Sequence, residues 1–140
     1  MSTAAQLPPE QLHAMALSFG DQTAYQVLGG TALTFAQWDA DASRLARGLL
    51  DAGVEPGRPV GIHLEPANAL CWIVAYAAIH RAGAVAVPLN PQLTRPEVER
   101  MVDHCDAAAV FVEESLLPRY EGGRPAVVVA VPGAGQMDGA

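Results

Sequence analysis

Lysine is absent from this 140-residue chain, and all eight of its positively charged side chains are arginines. A mechanism that needs a Schiff-base lysine or a lysine on a phosphate group is therefore excluded within this chain. Fifteen Asp and Glu residues outnumber the arginines and leave a formal charge of −7. Because an acidic surface repels phosphate backbones and anionic lipid headgroups, the composition disfavours nucleic acid and membrane surfaces as partners.

Cysteine is scarce, and no segment is apolar for long enough to cross a membrane. Cys71 and Cys105 form neither a CxxC pair nor a disulfide framework, which predicts free thiols in a reducing compartment. The longest apolar run covers residues 69–79 and is shorter than the roughly 20 residues that a membrane span needs. Residues 1–10 lack the basic and apolar regions of a secretory signal. We therefore expect a cytoplasmic protein without a membrane span.

Local patterns near the start of the chain predict a β-hairpin followed by an amphipathic helix. Two β-prone runs, residues 23–28 and 31–34, flank a Gly-Gly pair that favours a tight turn. Thr34 and Gln37 have the spacing of a capping box, and apolar residues then recur every three or four positions until Gly53 ends the pattern. The first dozen residues are weakly patterned and predict no element.

From Pro59 onward, predicted strands alternate with predicted helices. The strands are continuous apolar runs at residues 59–64, 84–89, 107–112 and 126–131. The helices cover residues 69–81, the segment after the Thr94 and Glu97 capping box, and a short stretch within residues 113–120. This order predicts an α/β fold with a mostly parallel sheet flanked by helices on both faces, preceded by the N-terminal β-hairpin.

The helix at residues 69–81 is apolar on nearly every face, which predicts burial on more than one side. We interpret residues 1–131 as one α/β unit and residues 132–140 as a flexible Gly-rich tail or a truncation end. The tail is a near miss to a dinucleotide fingerprint. A small Rossmann-type binding domain is therefore a further hypothesis, although the fingerprint needs a helix after its glycines.

Several titratable side chains could suggest a metal or catalytic site. His104, Cys105 and Asp106 are consecutive, and adjacent helix positions point in different directions, so they do not predict a metal site. The other histidines are isolated and predict surface or helix-end positions: His13, His63 and His80.

Other polar and aromatic side chains also favour a structural interpretation. Glu113 and Glu114 follow a strand, and we assign them to the first turn of the next helix, where they complement its dipole. Ser18, Ser43 and Ser115 lack a GxSxG setting. Four aromatic residues could form a ligand cage, but their helical spacing favours core packing: Tyr25, Trp38, Trp72 and Tyr76. We predict no catalytic, cofactor-binding or metal-ligating residue in this chain.

Four segments carry a resemblance to a known family: residues 33–38 (LTFAQW), 43–49 (SRLARGL), 53–60 (GVEPGRPV) and 81–91 (RAGAVAVPLNP). In order and spacing they resemble the AMP-forming adenylate enzymes, the superfamily of acyl-CoA synthetases, peptide-synthetase adenylation domains and luciferases. The resemblance covers roughly residues 23–131. The first and last segments resemble the family's core motifs, which hold the buried helix and sheet and do no chemistry.

The resemblance implies the N-terminal portion of an ATP-dependent acyl-CoA synthetase similar to fatty-acid–CoA ligases, inactive in isolation. Amino-acid adenylation domains usually have Asp after the Pro-Leu pair, whereas this chain has Asn90. In family members the phosphate loop with its lysine, the ribose-binding acidic residue, the acyl pocket and a C-terminal lysine should lie beyond residue 140. ATP, Mg²⁺ and CoA would thus serve the full-length enzyme, and none is expected to bind this chain.

Two alternatives stay open at this point. The chain could be a stand-alone interaction or dimerisation module, or half of a split ligase; it could also be a fragment of an amino-acid adenylation domain. The expected partners are the remainder of the ligase chain or a second copy of this chain, with a carboxylic acid as the substrate of the full enzyme.

Overall fold

The computed structural model describes residues 8–134, which form helices and strands. The helices are α1 (Pro8–Phe19), α2 (Phe35–Asp51), α3 (Ala69–Arg81) and α4 (Arg95–Cys105). The strands are β1 (Thr23–Gln26), β2 (Ala32–Thr34), β3 (Pro59–His63), β4 (Val85–Pro88), β5 (Ala109–Glu113) and β6 (Val127–Val131). Two 3-10 helices cover Pro66–Asn68 and Glu114–Tyr120.

The hairpin and the helix after it form as the sequence predicts. Strands β1 and β2 pair antiparallel, and Gly29 adopts a φ of 71° in the turn between them. At the start of α2 the Gln37 backbone N–H donates to Thr34 Oγ1 at 3.1 Å, and the Thr34 N–H donates to Gln37 Oε1 at 2.9 Å. Both bonds of the predicted capping box are thus present.

The other four strands form one parallel sheet in the order β4-β3-β5-β6. The chain passes from β3 outward to β4 and then returns across β3 to β5. The strand order therefore reverses between β3 and β5. Strand β4 ends the sheet on one side and closes at Pro88.

Alternate side chains of the central strands face two separate cores. Ile62 and Phe111 pack with residues of α2 and α3 on one face. Val110 and Val112 pack with residues of α4 and the Glu114–Tyr120 helix on the other. Since successive side chains of a strand point to opposite faces, helices cover both faces of the sheet. The predicted fold class is confirmed.

Helix α1 is the element that sequence patterning missed. Pro8 and Pro9 occupy its first turn, where a missing N–H costs little. Leu12 is buried, whereas Leu17 and Phe19 stay exposed, so the helix has only a narrow apolar contact face. The helix lies against α2 and α3.

None of the helices between residues 8 and 134 is long and apolar enough to cross a membrane. Most of the predicted Gly-rich tail, residues 135–140, lies outside the described residues. The division at residue 131 therefore stays a prediction.

Candidate functional site

The carboxyl ends of β3 and β5 are the place where this fold would bind a ligand. In open α/β sheets, ligands bind outside the carboxyl ends of the strands at the point where the strand order reverses. That point lies here between β3 and β5. Asn68 follows β3, Glu113 ends β5, and Pro132 follows β6.

Hydrogen bonds join these three residues to one another. Asn68 Nδ2 donates to Glu113 Oε1 at 2.8 Å and to the Pro132 carbonyl oxygen at 2.9 Å. Ser115 Oγ donates to Glu113 Oε2 at 3.2 Å. Asn68 is 4% exposed and Glu113 is 6% exposed. We call this group the Asn68–Glu113 clamp, because it joins the chain after β3, β5 and β6 where a ligand would otherwise enter.

The sequence predicts both Glu113 and Glu114 in the first turn of the next helix. This prediction is wrong for Glu113 and confirmed for Glu114. Glu113 is the last residue of β5 and is buried against Asn68. Glu114 is exposed and begins the next helix. The carboxylate of Glu113 tolerates burial because Asn68 and Ser115 both donate to it.

The sequence predicts a surface or helix-end position for His63. This prediction is also wrong, because the side chain is fully buried at the end of β3. Its Nε2 lies 3.1 Å from the Asn90 carbonyl oxygen, which can only accept, so Nε2 carries the proton. Its Nδ1, 2.7 Å from the Tyr120 hydroxyl, then accepts from that hydroxyl. Both ring nitrogens have partners, which is why a histidine is stable at this buried position.

The neutral His63 makes stability depend on pH. Burial lowers the pKa of His63, the hydrogen bond to Asn90 opposes that shift, and the charge of Arg119 adds to the lowering. Above pH 6.5, the usual histidine value, the ring is neutral in both folded and unfolded chains, and this contribution is complete. Below that pH the unfolded chain binds the proton first, so the folded state loses stability.

We expect the free energy of unfolding to fall between pH 7 and pH 5, with a contribution from His63 of up to about 1.4 kcal/mol per pH unit. Urea unfolding at several pH values measures this slope. The matched variant His63→Gln removes the titrating group and should flatten the profile. A slope unchanged by the substitution would contradict the assignment.

Arg81 joins the first three helices at a second polar cluster. Its guanidinium donates to Asp39 Oδ1 at 2.8 Å, to Ser43 Oγ at 2.6 Å and to the Pro9 carbonyl oxygen at 3.1 Å. His13 Nδ1 lies 3.0 Å from the other Asp39 oxygen. Burial alone would raise the pKa of Asp39, but the bonds from His13 and Arg81 and the Arg81 charge hold it below its usual value.

An open groove of about 490 Å³ lies beside this cluster, lined mainly by α1 together with Ser43 and Arg81. The Arg81 guanidinium that lines this groove is hydrogen-bonded to Asp39, Ser43 and Pro9. We therefore interpret the groove as part of the junction between the first three helices.

The consecutive His104, Cys105 and Asp106 do not converge on one point. Asp106 ends α4 with a left-handed φ of 52° and pairs with Arg58. Within residues 8–134, no three His, Cys, Asp or Glu side chains are placed to hold a metal ion. The predicted absence of catalytic and ligand-binding residues stays a prediction.

The two cysteines are both free thiols. Burial raises the pKa of Cys71, and the charges of Glu113 and Asp41 raise it further. A raised pKa keeps Cys71 in the protonated form, and a protonated thiol is a weaker nucleophile than a thiolate. Cys71 therefore suits packing better than covalent chemistry.

The four aromatic residues considered as a cage form two separate pairs. Tyr25 meets Trp38 edge to face at a centroid distance of 5.4 Å, and Trp72 stacks on Tyr76 at 5.3 Å. Trp38 Nε1 also donates to the Ile73 carbonyl oxygen at 3.3 Å. Tyr25 and Tyr76 remain 48% and 40% exposed. Both tryptophans are half-buried, and Trp72 packs against the core of α2, α3 and the sheet.

The sequence did not reveal the structural roles of four residues: Asp39, Asn68, Arg81 and Tyr120. Each acts through a partner that is distant along the chain. A polar residue between a strand end and a helix start, as at Asn68, is the one local signal that could have identified the clamp.

Comparison with known proteins gives a consistent result. The sequence model of the "AMP-binding enzyme" family matches residues 12–136. Feruloyl-CoA synthase of Amycolatopsis sp. is 41% identical over 83 residues, which are 59% of this chain and 16% of that protein. Phosphinothricin tripeptide synthetase PhsC of Streptomyces viridochromogenes is 38% identical over 91 residues, which are 64% of this chain and 8% of that protein.

Solved structures agree on the fold. The anthranilate CoA ligase AuaEII, solved in complex with anthranoyl-AMP, superposes with a TM-score of 0.78 at 26% identity. A putative long-chain-fatty-acid CoA ligase from Rhodopseudomonas palustris superposes with a TM-score of 0.79 at 26% identity. Each comparison covers 93% of this chain, but only 27% and 34% of the respective ligase chains.

Proposed function

This chain belongs to the AMP-binding enzyme family, and from that premise we propose that it is an N-terminal portion of an acyl-CoA synthetase. Such an enzyme joins a carboxylic acid to ATP with Mg²⁺, forming an acyl-adenylate and pyrophosphate, and then transfers the acyl group to the thiol of CoA with release of AMP. The observation that supports the proposal is the likeness to two CoA ligases, each 26% identical over 93% of this chain.

The residues of this chain do not fit ATP or Mg²⁺ themselves. There is no lysine for the phosphates, and the part of the chain that the structure describes has no group of metal ligands. The Asn68–Glu113 clamp also ties together the strand ends at which an α/β sheet usually binds a nucleotide. We therefore propose a scaffold role for this portion, and a cytoplasmic setting that suits its two free thiols.

An amino-acid adenylation domain is the second candidate, favoured by the 38% identity to PhsC. In the sequence, Asn90 distinguishes this chain from amino-acid adenylation domains, which usually have Asp at that position. In the structure Asn90 stabilises a turn. Its Oδ1 accepts from the Gln92 N–H at 2.9 Å, a bond that an aspartate could form equally well. The third candidate, a stand-alone interaction module, would need no ligase portion at all.

A chimaera tests the proposed function. The segment of the Amycolatopsis feruloyl-CoA synthase that matches this chain is replaced by this chain, and CoA-dependent formation of AMP is measured with ferulate. We expect at least about a tenth of the parent kcat/KM, a loss of no more than about 1.4 kcal/mol of transition-state stabilisation.

The matched chimaera in PhsC is assayed by exchange of pyrophosphate into ATP that depends on its amino acid. Activity in the PhsC chimaera alone would favour the adenylation-domain candidate. Inactivity of both folded chimaeras would overturn the ligase proposal.

The isolated chain should bind ATP with a Kd weaker than about 1 mM, since it lacks lysine and the Asn68–Glu113 clamp ties its strand ends together. Isothermal titration calorimetry with Mg²⁺ present measures this, and the active feruloyl-CoA synthase chimaera is the control. Micromolar binding by the isolated chain would contradict the scaffold role.

A further inference from the structure

His63 lies on the face of the sheet that α4 and the Glu114–Tyr120 helix cover. Val60 and Ile62 of the same strand belong to the core beneath α2 and α3. Since successive side chains of a strand point to opposite faces, the His63 ring points into the other core. There it is fully buried and meets Tyr120 edge to face at a centroid distance of 5.8 Å. A titratable ring therefore occupies a position that a strand covered on both faces normally gives to an apolar residue.

The ring joins two segments that are distant along the chain. Its Nε2 donates to the Asn90 carbonyl oxygen at 3.1 Å, in the turn after β4. The same oxygen accepts from the Leu93 N–H at 3.1 Å, which closes this turn. Its Nδ1 accepts from the Tyr120 hydroxyl at 2.7 Å, at the end of the Glu114–Tyr120 helix. His63 thus holds the turn and the helix together.

Only the neutral ring satisfies both bonds. Burial raises the pKa of the Tyr120 hydroxyl far above its ordinary value, so that hydroxyl stays protonated and donates. A protonated His63 carries hydrogen on both nitrogens, and its Nδ1 can no longer accept. Within residues 8–134 the Tyr120 hydroxyl bonds to His63 alone, so its displaced proton would have no acceptor.

The charges nearest the ring oppose its protonation. Arg119, next to Tyr120 on the 3-10 helix, acts on His63 as a like charge. On α4, Glu99 and Asp103 lie at a cleft shared with Arg119 and Tyr120. Both carboxylates are already engaged in ion pairs with other arginines, at 3.0 and 3.1 Å. Among the described residues, neither ring nitrogen has a carboxylate partner.

The other two elements around His63 add no compensating charge. Residues 89–94, which form the turn after β4, contain no charged side chain. On β5, Glu113 lies two positions after Phe111 and therefore points to the opposite face, where Asn68 binds it. A proton on His63 would be a buried charge without a partner, which the closed arrangement disfavours.

We propose that His63 is a proton-operated latch: the neutral ring holds the turn after β4 against the Glu114–Tyr120 helix, and protonation releases both segments while the core beneath α2 and α3 stays folded. Separate cores on the two faces of the sheet allow one side to open alone. Both segments follow the carboxyl ends of strands, the edge at which open α/β sheets bind ligands, so acid would loosen that edge selectively. The latch consists of buried residues of this chain and requires neither the ligase function nor a partner.

Amide hydrogen exchange of the whole chain, followed by NMR at pH 7.5 and pH 5, tests the latch. The reporters are the Leu93 N–H, bonded to the Asn90 oxygen, and the Gly123 N–H, bonded to the Tyr120 oxygen at 3.3 Å. After correction for intrinsic exchange rates, we expect their opening constants to rise between about five- and 30-fold at pH 5. About 30-fold is the limit for a histidine whose pKa is 6.5 in the open state.

Opening of the latch must be distinguishable from global unfolding. At pH 5 the two reporters should open at least about tenfold more often than urea unfolding under the same conditions gives for the whole chain. The N–H groups of Val54 and Ala84, which close the ends of α2 and α3 at 3.0 Å, are the reference amides and should stay more protected than the reporters. Equal opening of reporters and references would overturn the latch.

His63→Gln removes the titrating ring, and the opening constants of the reporters should then agree at the two pH values within about twofold. His104→Gln, at an exposed histidine on α4, is the matched control and should keep the wild-type pH dependence. A pH dependence that His63→Gln leaves intact would overturn the latch. If His63→Gln does not fold, imidazole nitrogen spectra of the wild type replace it: a ring that is protonated at pH 5 while both reporters stay as protected as at pH 7.5 would also overturn the latch.

Discussion

Asn68→Asp is expected to lower the free energy of unfolding at pH 7 by about 3–5 kcal/mol, the range typical of a buried charge left uncompensated. The wild-type amide donates to Glu113 at 2.8 Å and to the Pro132 carbonyl oxygen at 2.9 Å. An ionised aspartate offers only acceptors, so it places a second carboxylate beside Glu113 and leaves the Pro132 oxygen without this donor. Urea unfolding monitored by circular dichroism measures the loss.

The pH dependence of this loss identifies its cause. Two carboxylates this close cannot both stay ionised, so the pKa of one rises in the folded variant. A raised folded pKa means that the folded state binds more protons, and the stability penalty relative to wild type should shrink as the pH falls towards 5. The double change Asn68→Asp with Glu113→Gln restores an amide facing a carboxylate and should recover much of the loss at pH 7. A penalty independent of pH would contradict the clamp.

The parts of this fold that the sequence predicts are those whose causes are local. The capping box of Thr34 and Gln37 spans three residues, and the boundaries of α3 follow from an apolar run with a glycine after it. The parallel sheet was predictable because its strands are uniformly apolar, which requires cover on both faces. These signals lie within a window of about one helix length.

The polar groups of the candidate site were not predictable for the opposite reason. Asn68 and Glu113 are 45 residues apart, and His63 and Tyr120 are 57 residues apart. Each looks like an ordinary surface residue until the strand order places its partner beside it. The sequence favours a helix turn for Glu113, where an acidic group complements the helix dipole, and a surface or helix-end position for His63, which has no partner nearby along the chain.

Helix α1 was missed for a third reason. Leu12 is its one buried hydrophobic residue, and polar bonds from Arg81 to Pro9 and between His13 and Asp39 also hold it, so its amphipathic pattern is weak. Tertiary packing stabilises such a helix, and propensity alone does not reveal it.

The second large effect is expected at Phe111, which is 2% exposed at the centre of β5. Strand β5 lies between β3 and β6, and Phe111 belongs to the core that joins the sheet to α2 and α3. Phe111→Ala should lower the free energy of unfolding by about 3–5 kcal/mol, because it removes buried apolar surface and leaves a cavity that the surrounding strands cannot close. Thermal and urea unfolding measure the loss.

Phe111→Leu keeps most of the side-chain volume and should lower the free energy of unfolding by less than about 1.5 kcal/mol, so it remains measurable if the alanine variant does not fold. Met101→Ala on α4, where the side chain is 37% exposed, is the surface control and should change stability by no more than about 0.5 kcal/mol. If Phe111→Ala and Met101→Ala had equal effects, this core would not be what joins the helices to the sheet.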